Sequence, residues 1–148
     1  MALLIRPVID KLLEVLAART TGFVQFGRLF TGAAANLPAV WVMPGRTAID
    51  PECSTLRQAH LVTIKFGVEH SDPDSLMNAA MDGMKEIHGA IEASWPGDWV
   101  DAVDGGQVQS VTIREHDYGP TWTAGGMVAK FPEMDLVIEV EELREDGA

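Results

Sequence analysis

Across Ser71–Pro73 the hydrophobic pattern of this chain changes period, and that change restricts the fold more than any other stretch. Before it, from His60, residues Val62, Ile64, Phe66 and Val68 alternate with Thr63, Lys65 and Glu69, the two-residue period of a strand with one buried face. After it, Leu76, Ala80, Met84, Ile87 and Ile91 form one stripe opposed by Asp82, Lys85, Glu86 and Glu92, which is the helical period. Asp72 is suited to accept from the free amides of a first turn, and Pro73 stands where no donor is needed. Trp95-Pro96-Gly97 supplies the stop. The spacing therefore predicts a helix over 73–94. A half-apolar strand leading directly into a half-apolar helix must bury both faces, which calls for layered sheet and helix.

The remaining segments fit that scheme. Ile5, Ile9, Leu12, Leu13 and Leu16, with Arg6, Asp10, Lys11 and Glu14 between them, predict an amphipathic helix. It begins near residue 6, because Pro7 is tolerated only in a first turn, and stops by Gly22. Phe23–Phe30 and Ala39–Met43 read as short strands, separated by the small-residue stretch Thr31–Pro38. Residues 44–58, with Pro44, Gly45, Asp50 and Pro51, hold no sustained period and read as an irregular connection, long enough to suggest a functional loop. Further strands are expected over 107–116 and 134–143, with a shorter one over 127–131. Asp104-Gly105-Gly106, Tyr118-Gly119-Pro120 and Gly125-Gly126 mark turns. Together these predict one α+β domain over 1–143, a largely antiparallel or mixed sheet with two helices packed on one face. An acidic tail, 144–148, follows it.

Length and charge exclude several classes. A chain of 148 residues is one domain by length. Its single cysteine, Cys53, excludes an internal disulfide framework and a multi-cysteine zinc site. No apolar run approaches the roughly 20 residues that span a bilayer. Arg6 and Pro7 interrupt the stretch a signal peptide needs, which makes a reducing compartment the expectation. The net charge of −11 belongs wholly to the second half: residues 1–74 hold seven Lys/Arg against seven Asp/Glu, and residues 75–148 hold four against fifteen. Phosphate binding needs clustered cations, so sequence-specific nucleic-acid recognition and attachment to anionic membranes are disfavoured.

The search for chemistry returns little. His60, His70, His88 and His116 are scattered, and none has the spacing that puts two ring nitrogens on one metal. Cys53 has only Arg46 and Arg57 close in sequence to lower its pKa, and no cysteine-protease signature surrounds it. Adjacent strand residues such as His116 and Asp117 face opposite sides, which argues against a triad. Gly105-Gly106 and Gly125-Gly126 lack the lysine and helix of a phosphate loop. Asp98, Asp101 and Asp104 lack the glycine and glutamate of a calcium loop, whose positions fall on Val103 and Gln109. Met77, Met81 and Met84 read as core filler, and Trp41 as core. Trp95, Trp99 and Trp122, at element ends and in loops, suit an interface. No catalytic, cofactor-binding or metal-ligating set emerges, and no cofactor is expected.

The order of elements resembles the tail terminator, tail completion and head-tail joining proteins of long-tailed bacteriophages. The pieces that carry the likeness are the helix ending near Arg19, the Leu37-Pro38-Ala39-Val40-Trp41-Val42 strand entry, and the His60-Leu61-Val62-Thr63-Ile64-Lys65-Phe66 strand. The Asp72-Pro73 helix and the closing strands complete it, so that it covers residues 2–143. The likeness is one of lengths and order, with no invariant motif. It implies a non-enzymatic virion protein, assembled in the host cytoplasm, forming a homo-oligomeric ring of commonly six copies. Its partners are then the tail tube protein and a head-completion or connector protein, with the lumen as a passage for DNA. By position, residues 44–58 and 117–127 match the loops that meet neighbours, which makes Arg46, Ile49, Arg57, Tyr118 and Trp122 the candidate partner-binding residues. The alternative is a small intracellular hydrolase or transferase with a site built from Cys53, His60, His116 and Asp117. A ligand-binding α+β module is a third reading.

Overall fold

The computed structural model describes residues 4–28, 37–50 and 56–142. Helix α1 spans Ile5–Arg19 and α2 spans Pro73–Ser94, with strands β1 Gln25–Gly27, β2 Ala39–Asp50, β3 Leu56–His70, β4 Gly106–Asp117, β5 Thr121–Ala124, β6 Met127–Lys130 and β7 Glu133–Glu142. β3 is the backbone of the sheet. It pairs antiparallel with β2 on one side and with β7 on the other, while its last three residues, Val68 to His70, pair with β6. β7 carries β4 outside it, and β6 carries β5. The short β1 runs parallel to the start of β2, so the sheet is mixed.

Strand alternation decides which face is covered. Val62, Ile64 and Phe66 of β3 and Met134, Leu136, Ile138 and Val140 of β7 are wholly enclosed, and both helices lie against that face. The stripe expected on the second helix, Leu76, Ala80, Met84, Ile87 and Ile91, is buried in full. Asp72 caps the helix by accepting from the Ser75 amide at 3.1 Å. Gly83 is the point of closest approach: a Cβ there would lie 2.7 Å from the Phe66 ring. α1 packs its Val8, Ile9, Leu12, Val15 and Leu16 inward. Its end is tied down by Arg19, whose guanidinium donates twice to Asp98 at 2.6 and 2.9 Å.

The opposite face holds a smaller apolar cluster. Trp41 pairs in register with Lys65, so it projects away from the helices, yet it is buried. Its ring stands 6.4 Å from that of Phe131. Gly67 leaves room for this cluster, since a Cβ there would meet Leu37 at 2.6 Å and Phe131 at 2.9 Å.

Several expectations need correction. Residues 44–50 and 56–58 are strand, not irregular connection. A register shift between Pro44 and Thr47 breaks the alternation there and hides the strand. Thr121–Ala124 forms a strand of a hairpin where a loop was expected, turned by Gly125 and Gly126 at φ +57° and +80°, the left-handed values a two-residue hairpin requires. Within the expected Phe23–Phe30 strand, only Gln25–Gly27 is strand among the described residues. Met77 and Met81 are exposed, and only Met84 fills core. Trp99 is buried, its Nε1 donating to Ser94 Oγ at 2.9 Å, so it serves the core and no interface.

Candidate functional site

The five candidate partner-binding residues separate into two groups at opposite ends of β3. Arg46 and Ile49 lie on the outer half of β2 and Arg57 at the start of β3, where it pairs with Asp50 and with Glu141 of β7. All three are exposed, Ile49 to 41%. Tyr118 and Trp122 lie beyond the other end, around the β5–β6 hairpin that hangs from Val68–His70. Thirteen residue steps of extended chain separate Arg57 from His70, about 43 Å at the usual strand rise.

Hairpin alternation shows why Trp122 is uncovered. Thr121 and Thr123 share a face with Val128 and Lys130, and these two turn inward: Val128 packs against the core, and Lys130 is buried and donates to the Gly119 carbonyl at 2.7 Å. Trp122, Met127 and Ala129 therefore share the outward face, with Trp122 59% and Met127 39% exposed. Tyr118, in the loop that Lys130 holds, is 36% exposed. The result is a small apolar face on a short, pinned hairpin.

The C-terminal acidity also resolves into a pattern. Glu133, Asp135, Glu139 and Glu141 alternate along β7 on the face away from the helices, and Glu115 and Asp117 of β4 pair directly with Asp135 and Glu133. Two of these carboxylates have partners on β3: Thr63 Oγ1 donates to Asp135 at 2.8 Å, and Lys65 Nζ reaches Glu133 at 3.1 Å.

Residues of the enzymatic alternative are not drawn together. Cys53 is outside the described residues. His60 is paired with Ile138 and His116 with Met134, on strands either side of β7. That places them about 13 Å apart along the strands and about 10 Å across them. His60 is fully buried, with Nδ1 2.9 Å from Thr47 Oγ1, and burial lowers its pKa. Asp117 is engaged locally, accepting from the Gly119 amide at 2.9 Å.

One pairing escaped the sequence reading. His88 on α2 and His116 on β4 meet, with Nδ1 of the first 3.0 Å from Nε2 of the second and the rings nearly perpendicular. The other nitrogen of His88 lies 2.9 Å from Glu92, one helical turn on. Burial, and then the neighbouring His88, lower the His116 pKa. The i, i+4 placement of His88 and Glu92 was the only readable signal, since His116 arrives through the return of β4 beside α2. Among the described residues, no group of three or more His, Cys, Asp or Glu has the geometry to hold a metal, and no helix is long and apolar enough to cross a membrane.

No family model matches the chain, and no curated protein matches it. Among solved structures, a chain of the virion of native gene transfer agent (GTA) particle matches with a TM-score of 0.40 and 11% identity, over 90% of each chain.

Proposed function

We propose that this chain is a structural assembly protein of a phage-type virion, a ring subunit that terminates the tail tube or joins it to the head, commonly in six copies. The observation that carries the reading is the placement of unlike exposed residues toward opposite ends of one long strand. Ile49 and Arg57 stand at one end, on opposite faces of the sheet, with Arg46 farther along β2 in the register shift, and Tyr118 and Trp122 mark the other. Two different surfaces on one subunit are what head-to-tail association needs, and head-to-tail contacts close into rings when the rotation allows. The element order, from the N-terminal helix through the capped second helix to the closing strands, also follows the order that the phage resemblance implies. In this role the chain works by contact, without catalytic residues or cofactor. Its partners are further copies of itself, the tail tube protein and a head-side connector, and its place is the virion.

Electron microscopy of the purified protein, alone and mixed with tail tubes, tests the proposal. Closed rings of one subunit number, seated at tube ends in the mixture, are the expected result. A 16.0 kDa monomer that persists at high concentration and leaves tube ends bare would overturn it.

A further inference from the structure

We propose that His88 and His116 form a two-imidazole site for a tetragonal divalent ion, Cu2+, which bridges α2 and the outer strand β4. The argument begins with tautomers. The Glu92 carboxylate lies 2.9 Å from His88 Nε2, and its charge favours the tautomer of a neutral His88 that keeps the proton on Nε2 and leaves Nδ1 a bare lone pair. A carboxylate behind a histidine in this way is the usual support of a metal-ligating imidazole, because it fixes the ring and raises the basicity of the nitrogen that binds. That Nδ1 lies 3.0 Å from His116 Nε2. In the metal-free protein His116 donates its proton into that gap. When the ion enters, His116 carries its proton on Nδ1 instead, and both imidazoles present lone pairs without net proton release.

The separation suits a cis pair of ligands. Metal–nitrogen bonds of about 2.0–2.1 Å spanning 3.0 Å subtend roughly 95° at the metal. That is close to the cis angle of a square-planar or tetragonal ion. Nitrogen ligation in tetragonal geometry points to Cu2+ or Ni2+, and Cu2+ heads the affinity order for divalent first-row metals. Two protein ligands leave the remaining positions to water, which the partly exposed setting of both rings permits.

The test is a titration of tag-free, chelator-treated protein with Cu2+, followed by electron paramagnetic resonance and by thermal unfolding. Wild type is expected to take one equivalent with hyperfine structure from two imidazole nitrogens, and to melt higher when loaded. His88→Ala and His116→Gln, each checked for folding by circular dichroism, should lose that signal. Glu92→Gln should weaken binding by about ten- to a hundred-fold. His70→Ala, a histidine elsewhere on the surface, should bind as wild type. A two-nitrogen signal that survives in folded His116→Gln, or its absence from wild type, would overturn the proposal. So would a signal that vanishes with His70→Ala.

Discussion

His60 is a titratable side chain enclosed completely by the fold. Its Nδ1 meets Thr47 and its ring lies on the helix-covered face of β3, so a charge there would be stripped of water, with no carboxylate hydrogen-bonded to it among the described residues. Burial therefore lowers its pKa below the ordinary 6.5. Because the folded value is the lower one, the unfolded chain takes up a proton first as pH falls. The stability present above about pH 6.5 is thus progressively lost below it. The carboxylates whose pKa values are lowered, Asp72 through its cap on Ser75 and Asp98 beside Arg19, lose their contributions only in a more acidic range, as pH drops below the usual 3.8. Between pH 7.5 and 5.5 the urea midpoint of wild type should accordingly fall. His60→Gln, which keeps a group able to bond to Thr47, should flatten most of that fall. His116 shifts in the same direction and accounts for a residual slope. An equal slope in wild type and variant would show that His60 is not the group responsible.

Among the elements, α2 is the one on which packing depends most. Ile87 is fully enclosed in the shared core, and truncation to Ala should cost about 2–5 kcal/mol, read from the denaturant midpoint. Gly83 tests the opposite fault. A methyl group at 2.7 Å from the Phe66 ring has no space, so Gly83→Ala should destabilise by about 1–3 kcal/mol, although alanine is the better helix former. A neutral or stabilising Gly83→Ala would mean that α2 can lift from the sheet at no cost. This helix was fully legible in the sequence because its period is unbroken over 73–94 and both ends carry their own chemistry. β7, and β3 from His60 onward, were legible for the same reason of clean alternation. β2 was read only as far as Met43, because the register shift between Pro44 and Thr47 moves the later residues out of phase. β5 is four residues long and its apolar member, Trp122, faces outward, so no alternation announced it. The His88–His116 contact depends on strand order, with a sequence separation of 28 between the two, and no local pattern encodes that.

At the scale of the whole molecule, the sheet edges and the end patches offer different routes to assembly. β4, whose only described partner is β7, carries register shifts at Val108/Ser110 and Ile113/Glu115, and the far half of β2 carries its own at Pro44/Thr47. Such bulges are a common means of discouraging strand-to-strand addition. The end patches are free of that restriction, which is why the proposed ring joins the Ile49–Arg57 end of one subunit to the Trp122 end of the next. This geometry has a consequence that no two-fold contact shares. Arg57→Glu should disable one end and Trp122→Ser the other, each leaving a folded monomer of 16.0 kDa because both side chains are exposed. An equimolar mixture of the two variants still contains one intact end of each kind. It should therefore form a dimer, but neither a closed ring nor a longer oligomer, when followed by light scattering with size separation. If wild type assembles and the mixture stays monomeric, the contact is two-fold or lies elsewhere. If either variant alone still closes rings, the end it alters has no part in the joint.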